Sequence, residues 1–424
     1  MKVLYNIFIN IYSFLIRLVS GFNTKAHAWI DGRKNIFNKL KQTIDKNDKI
    51  IWIHVASLGE FEQARPVIEK IKEHFTNHKI LLTFFSPSGY EIKKDYDKAD
   101  YIFYLPADTP KNAKKFVEIV NPRLAIFVKY EFWFNYFDAL YKNKIPLLMI
   151  SVIFRPSQHY FQFWGIWFRR QLHKVTWFFV QNNSSLELLN KININHAEVS
   201  GDTRFDRVYQ IVKENKKIPE IEIFKDDSKL MTAGSTWPRD EDILLHILKN
   251  TPDSFKLIIA PHVVNKSRVD DLLEKFNIFN PLLFTRFAGK NNKNSRVLII
   301  NTTGLLSYVY RYSTFSYVGG GFGAGIHNLL EPVTYGHPVI FGPNYHKFQE
   351  AYDLIDAGCG FSVNKKEDAL TVVNSLLQDS KKLTELSVIS KDFVNKNIGA
   401  TTIIMEKIKE YIIESSHPFS QGKL

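Results

Sequence analysis

From residue 49 onward the chain alternates short runs of β-branched and aromatic residues with longer stretches of helical period, the pattern of parallel sheets covered on both faces. Seven such runs fill the first half, at residues 50–55, 80–85, 101–105, 124–128, 147–152, 175–180 and 197–200. Seven more fill the second, at 230–233, 256–260, 282–285, 296–300, 315–318, 339–341 and 360–363. Two successive sets predict two doubly wound α/β domains. The polar stretch 212–227, rich in Lys and Glu and holding Pro219, predicts the join. Behind the first strand, Phe61, Ala64, Val67, Ile68 and Ile71 form the buried stripe of a helix, which Pro66 should either kink or begin. Residues 401–413 read as a closing amphipathic helix after the turn Asn397-Ile398-Gly399-Ala400, and no internal repeat interrupts the series.

The first 20 residues do not follow this rhythm. They are apolar from Val3 to Ile16, broken by Asn6, Asn10 and Ser13 and ended by Arg17. Spanning a bilayer takes about 20 predominantly apolar residues, so the segment either spans or lies in the interface; a buried first helix of the globular body is the alternative. No small-residue cleavage site follows, which predicts a retained anchor over residues 1–22. Lys25, Arg33, Lys34, Lys39 and Lys41 come next, and the positive-inside rule puts them, with the body, on the cytoplasmic side.

At 424 residues the chain exceeds one ordinary core, consistent with two domains. Its net charge of +13 and pI near 9.4 give a basic surface suited to phosphates, an anionic membrane or nucleic acid. Nucleic acid is the poorest of these fits, because basic and aromatic residues are spread through the chain instead of forming a stripe or a known module. The single cysteine, Cys359, excludes an intramolecular disulfide framework and any cysteine-based zinc cluster, and fits a reducing compartment.

The candidate chemistry lies at strand ends, where open α/β sheets bind ligands. Ser57-Leu58-Gly59-Glu60 follows the first strand and delivers a carboxylate to a helix start, as a general base or as a carboxylate stabilised by the helix dipole. Glu131, in Lys129-Tyr130-Glu131-Phe132-Trp133, brings a second acid to the same edge. Residues 154–174 interleave Phe, Tyr and Trp with Arg155, Arg169, Arg170, His173 and Lys174, which suits a membrane interface, an acylated and phosphorylated substrate, or aromatic packing under a basic face.

In the second half, Gly234, Ser235 and Thr236 precede a helix with Asp240 and Glu241, so the hydroxyls either cap it or hold a phosphate. Pro261-His262 and Thr303-Gly304-Leu305 end two further strands. The stretch 315–343 reads strand, glycine loop, helix, strand. Gly320 and Gly321 lie in the loop, and His327-Asn328-Leu329-Leu330-Glu331 opens the helix. Such a loop and helix start suit a phosphate, with Asn328 and Glu331 three apart to meet sugar hydroxyls; a glycine-rich turn capped by Asn328 is the structural alternative. Gly319, Gly321 and Ala324 also satisfy GxGxxA, but the element comes late in the chain and no acidic residue ends the next strand. Asp95 and Asp97, a DxD pair, lie in a Lys-rich helical stretch away from the strand ends, so a solvated face is expected there and no metal site.

Together, Ser57-Leu58-Gly59-Glu60, Glu131-Phe132-Trp133, Gly234-Ser235-Thr236 and Gly325-Ile326-His327-Asn328-Leu329-Leu330-Glu331-Pro332 resemble the motifs of the 3-deoxy-D-manno-octulosonic acid (Kdo) transferases of lipopolysaccharide assembly. The resemblance covers nearly the whole chain. It implies a GT-B fold of two Rossmann-like domains: an anchor over 1–22, an acceptor-side domain over 23–211, a domain for the donor CMP-Kdo over 212–399, and a last helix, 400–424, crossing back to the first domain. It also implies a lipid A precursor (lipid IVA) as acceptor, an anionic inner-membrane surface as partner and no cofactor. Glu60 would be the catalytic base and Glu131, also counted as catalytic, a second acidic residue of the acceptor side. Ser57 and Gly59 would line the acceptor side, and Ser235, Thr236, Pro261, His262, Thr303, Gly304, Leu305, Gly320, Gly321, Asn328, Leu329, Leu330 and Glu331 the donor side. The chain departs from the family at Pro261-His262-Val263, where an arginine is usual, and at Thr303-Gly304-Leu305, where Met-Gly-Glu is usual. Lys129 stands where an acid is common, and Trp237-Pro238 replaces a polar pair. A GT-B enzyme using a UDP-sugar, either a lipid-linked N-acetylglucosaminyl transferase or a 2-epimerase, is the alternative reading.

Overall fold

The computed structural model describes residues 1–287 and 294–414. The chain divides into two compact units: residues 1–207, rejoined by the chain from Ile398, and Val208–Asn397. Both divisions fall a few residues before the joins expected at 211/212 and 399/400. The polar stretch 212–227 belongs wholly to the second unit, because its helix Pro219–Lys225 buries Ile221 and Phe224 in that core. Residues 1–22 are part of the first unit as well.

The N-terminal segment is a helix, α1 (Lys2–Val19), followed by α2 (Thr24–Asp31) and α3 (Ile36–Thr43). Asn23 caps α2 by accepting from the amides of Lys25 and Ala26. α1 has the length and composition of a membrane span, but one side of it is fastened to the body. Tyr5 reaches the buried Asp108, Asn135 donates to Asn6 at 2.9 Å, and Ile9 is buried. The other side is bare: Val3, Leu4, Ile7, Phe8, Ile11, Phe14, Leu15 and Leu18 are all exposed.

The first unit's sheet contains β1 (Ile50–Val55), β2 (Lys79–Phe84), β3 (Tyr101–Tyr104), β4 (Leu124–Val128), β5 (Leu147–Val152), β6 (Trp177–Val180) and β7 (Ala197–Val199). All are parallel, in the order β3-β2-β1-β4-β5-β6-β7. The apolar runs are explained by burial on two faces: Trp52, Leu81, Ala125 and Phe127 pack into one core, and Ile51, Ile53, Leu82 and Ile126 into another. The second core is closed by the helix α4 (Leu58–His74) and by the closing helix Ala400–Glu414, which contributes Ile404, Met405, Ile408 and Ile412. The rest of the expected last helix lies outside the described residues. Asp206 holds the return of the chain, accepting from the amides of Gly399 and Thr401 at 2.6 Å. Pro66 sits in the middle of α4 and does not begin it, since Ser57 is the N-cap.

In the second unit β8 (Lys229–Thr236), β9 (Phe255–Pro261), β10 (Leu282–Leu283), β11 (Val297–Ile299), β12 (Phe315–Val318), β13 (Val339–Phe341) and β14 (Gly360–Ser362) form another parallel sheet, ordered β10-β11-β9-β8-β12-β13-β14. β8 runs three residues beyond its expected end. Ser235 bulges out with a left-handed φ of 55° while Thr236 rejoins the ladder opposite Pro261. Each sheet starts at a central strand, builds outward on one side, and then reverses. The reversal lies between β1 and β4 in the first unit and between β8 and β12 in the second, the crevice position for ligands in such sheets.

Candidate active site

Glu60 and Glu131 follow β1 and β4, the two strands that flank the first reversal. Glu60 is in the first turn of α4, and its Oε2 accepts from the backbone N of Ala56 at 3.0 Å, the N of Ser57 at 2.9 Å and Ser57 Oγ at 3.0 Å. One oxygen thus caps the helix start. Among the described residues no group hydrogen-bonds the other, Oε1, which leaves an acceptor on a rigidly held carboxyl. Burial, then the charge of Glu131, push the Glu60 pKa up to about 7, against the pull of Ser57 and Lys129. A carboxylate poised there is suited to general-base work at neutral pH.

Glu131 is buried and fixed from two sides. Trp133 Nε1 donates to its Oε2 at 2.6 Å, and His54 Nε2 lies 3.0 Å from the same oxygen. Trp133 Nε1 also lies 3.0 Å from His54 Nε2, so the three side chains form one cluster. His54, wholly buried in β1, is steadied at Nδ1 by Thr83 in β2, with the hydroxyl at 2.9 Å and the carbonyl at 3.1 Å. Trp52 Nε1 donates to that hydroxyl at 2.8 Å. Sequence reading did not single out His54. Its signal was a lone polar residue inside an otherwise apolar central strand, Ile50–Val55. Lys129, between β4 and Glu131, has a left-handed φ of 61°, a strained conformation for a side-chain-bearing residue. Ser57 is half-buried and Gly59 exposed beside Glu60.

In the second unit the predicted residues gather along the carboxyl edge of four adjacent strands, β11, β9, β8 and β12. Thr236 is buried and its hydroxyl is committed to Glu241 Oε1 at 3.1 Å, so it is not offered to a phosphate. Glu241 in turn pairs with Arg268. Asp240 Oδ2 accepts from the amides of Trp237 and Gly320, both at 2.9 Å, and its Oδ1 from the hydroxyl of Tyr317 at 2.8 Å. That carboxylate pins the glycine loop to β8, which uses up the Gly320 amide. A Cβ on Gly321 would fall 2.6 Å from the backbone of Gly342, so this glycine serves close loop packing. Leu329 and Leu330 are fully buried, leaving only their backbones to meet a ligand. The helix begins at Leu330, later than expected. Asn328 Oδ1 accepts from the Leu330 amide at 3.1 Å, and its amide donates to Glu331 Oε1 at 3.2 Å.

What stays open on this edge is an aromatic and imidazole stack. The His262 ring, after Pro261, stacks against both Trp237 and His327, with ring centroids 4.9 Å and 4.3 Å away, and Trp237 Nε1 donates to His327 Nε2 at 3.2 Å. Burial and the neighbouring His262 hold His327 down to about 4, and burial lowers His262, so the stack is uncharged at neutral pH. Trp237, Arg239, Phe322 and His327 line a cavity of about 570 Å³ beside the glycine loop. Thr303 and Gly304 are exposed beyond β11, and Leu305 is half-buried. Sequence reading noted Trp237 only as a departure from the family. Among the described residues no group of three or more His, Cys, Asp or Glu could hold a metal ion, and Asp97 is exposed and paired with Lys98 at 2.9 Å.

A family model described as 3-Deoxy-D-manno-octulosonic-acid transferase (kdotransferase) matches residues 32–207. The 3-deoxy-D-manno-octulosonic acid transferase of Aquifex aeolicus (strain VF5) is 26% identical over 380 residues, covering 88% of this chain and 96% of that protein. The enzyme of the same description from Haemophilus influenzae is 26% identical over 380 residues, covering 85% and 87%. Among solved structures, UDP-GlcNAc 2-epimerase from Neisseria meningitidis bound to UDP-GlcNAc superposes with a TM-score of 0.60 at 17% identity, covering 85% of this chain and 100% of that one. A putative UDP-N-acetylglucosamine 2-epimerase from Listeria monocytogenes gives 0.59 at 14%, covering 87% and 97%. At such identities the structural likeness shows a shared GT-B-like fold and nothing of the substrate. The match over 32–207, under half of the chain, and the relatives' likeness over most of it support a Kdo transferase, a glycosyltransferase of lipopolysaccharide synthesis.

Proposed function

We propose that the protein moves Kdo from CMP-Kdo to a lipid A precursor, lipid IVA, with Glu60 as the base. The observation that carries this reading is the Glu60 carboxyl itself. It is held through one oxygen by three donors, has its other oxygen unbonded among the described residues, and is raised to about 7. In the reaction an acceptor hydroxyl oxygen bonds to the anomeric carbon of Kdo as the bond from that carbon to the CMP phosphate breaks. The hydroxyl proton passes to Glu60, CMP leaves with the electron pair, and a single displacement inverts the anomeric centre. Glu131, fixed by His54 and Trp133, keeps negative charge beside the base and so sustains its affinity for the proton. The Trp237–His262–His327 edge and the exposed Thr303-Gly304 turn would receive the donor in the second unit.

The membrane is the expected location, with the body on the cytoplasmic face of the inner membrane. The exposed apolar side of α1 supports a helix lying in the interface over one that spans, because its opposite side is bound to the first unit. Phe22, Phe163, Trp164 and Ile166 extend the exposed apolar surface, and Trp167 in the same segment packs on Tyr5.

Purified protein mixed with CMP-Kdo and a tetraacyl disaccharide lipid should give a product heavier by one or more Kdo units in a mass spectrum. No product there, with turnover of a UDP-sugar instead, would replace this reading by the epimerase-like one.

A further inference from the structure

The first unit has a second basic feature that the transfer reaction does not use. A cavity of about 580 Å³ opens along the flank of α1, bounded by the α2–α3 turn and by the start of the helix Pro110–Val120. Four cations line it, Arg17, Arg33, Lys34 and Lys115, and no Asp or Glu does; Asp31, outside the lining, pairs with Lys34 at 2.6 Å. Arg33 is the deepest. Its Nε donates to Leu105 O at 2.7 Å, Nη1 to Trp29 O at 3.0 Å and Nη2 to Phe85 O at 2.8 Å, and its guanidinium lies 3.9 Å from the Trp29 ring centroid. Three of its five N–H groups are therefore satisfied by neutral carbonyls, and among the described residues no carboxylate pairs with it. A half-buried cation compensated only by dipoles and rings is costly to maintain without an anion.

We propose that this cavity grips the phosphate of an anionic membrane lipid. The inference rests on the membrane reading above. The shared chemistry is a phosphate oxyanion meeting a guanidinium and lysine ammonium groups. A lipid is favoured over free phosphate because Ser13 and Arg17 in the wall belong to the same helix whose neighbouring stripe, Phe14, Leu15 and Leu18, is exposed and apolar. A headgroup in the cavity would leave its acyl chains against that stripe. Arg33 differs from the surface lysines around it in being built into the wall by backbone bonds, which gives the site a fixed geometry beyond a diffuse positive field.

The test uses the full-length protein and flotation with vesicles of phosphatidylcholine alone or mixed with phosphatidylglycerol. The parent should bind both, with roughly a tenfold or greater gain from phosphatidylglycerol. The triple variant Arg17→Gln, Lys34→Gln, Lys115→Gln should lose that gain and keep its binding to phosphatidylcholine. A control with the same charge removed outside the cavity, Lys39→Gln, Lys41→Gln, Lys46→Gln, should keep most of it. Equal losses in the two triples would reduce the site to diffuse charge, and a full gain in the first triple would overturn it outright. Inorganic phosphate that raises the parent's melting temperature but not that of the first triple, while both float alike, would assign the cavity to free phosphate and overturn the lipid. A parent that binds neither vesicle would instead overturn the membrane reading itself.

Discussion

The phenol of Tyr5, in the apolar N-terminal helix, donates to the buried carboxylate of Asp108 at 2.5 Å, across 103 positions of sequence. Asp108 also accepts from the amides of Asn135 and Tyr136 at 3.1 and 3.0 Å, so one carboxylate ties α1 to the first turn of the helix Phe134–Lys142. Burial raises its pKa to about 6. The helix therefore has a fastened side and an exposed apolar side, and the proposed membrane role of the second should separate from the first by mutation. Tyr5→Phe should cost about 1–3 kcal/mol of stability in urea unfolding and leave vesicle binding unchanged. Phe8→Asp with Phe14→Asp, both exposed, should do the reverse, shifting stability by no more than about 0.5 kcal/mol while stripping the protein from vesicles. The opposite pattern would mean that α1 is a core helix and no membrane element.

Glu131 contributes to the raised pKa of Glu60 second only to burial, and its own carboxylate is fixed by His54 and Trp133. Glu131→Gln keeps the shape and removes the charge. The acid limb of the turnover profile should then move from about 7 toward the ordinary carboxylate range, whatever happens to the plateau rate. Turnover measured from pH 5 to pH 9 in parent and variant reads this directly. An unmoved midpoint would show that the two carboxylates are not coupled in the working enzyme.

Much of this architecture can be read from sequence because parallel strands buried on both faces leave continuous apolar runs, and β1, β4 and β5 are buried along their whole length. The strand ends were less legible. Gly234-Ser235-Thr236 has the composition of a loop, but a single bulge at Ser235 lets β8 continue to Thr236. The positions of Glu60 and Glu131 follow from topology, since both come directly after central strands. The relation of His54 to Glu131 does not, because it depends on the pairing of β1 with β4 and on partners 29 and 77 residues away. Arg33 reads as one more surface cation, and only the backbone carbonyls of Trp29, Phe85 and Leu105 reveal it as part of a wall.

The glycine loop after β12 makes a structural demand that is independent of any ligand. Gly321→Ala would put a methyl group 2.6 Å from the backbone of Gly342, and neither backbone is free to move, since Asn344 N donates to Gly321 O at 2.9 Å. Overpacking of this kind costs about 1–3 kcal/mol. The variant should melt earlier and bind CMP more weakly, because the loop that carries His327 shifts against Trp237. Normal melting with normal CMP binding would remove the glycine loop from the donor site.

With Glu60 as the base, activity and stability should depend on pH in opposite directions. Its pKa in the folded protein, about 7, lies above the ordinary value of 4.5, so the folded state holds the proton more tightly than the unfolded chain does. The resulting stabilisation is complete below about 4.5 and is lost as pH rises through about 7. If Glu60 is the base as proposed, turnover needs its deprotonated carboxylate and should rise over the upper part of that same window. Glu60→Gln is neutral at every pH, and its side-chain oxygen can still accept from Ala56 and Ser57. It should cut turnover by roughly 10² or more. Its melting temperature relative to the parent should also climb between pH 5 and pH 8.5, because only the parent acquires a buried charge beside Glu131 over that range. Paired melting and rate measurements across pH test both halves. Near-normal turnover in the folded variant would take Glu60 out of the mechanism, and a melting difference that stays flat with pH would mean that its carboxylate titrates like an ordinary surface acid.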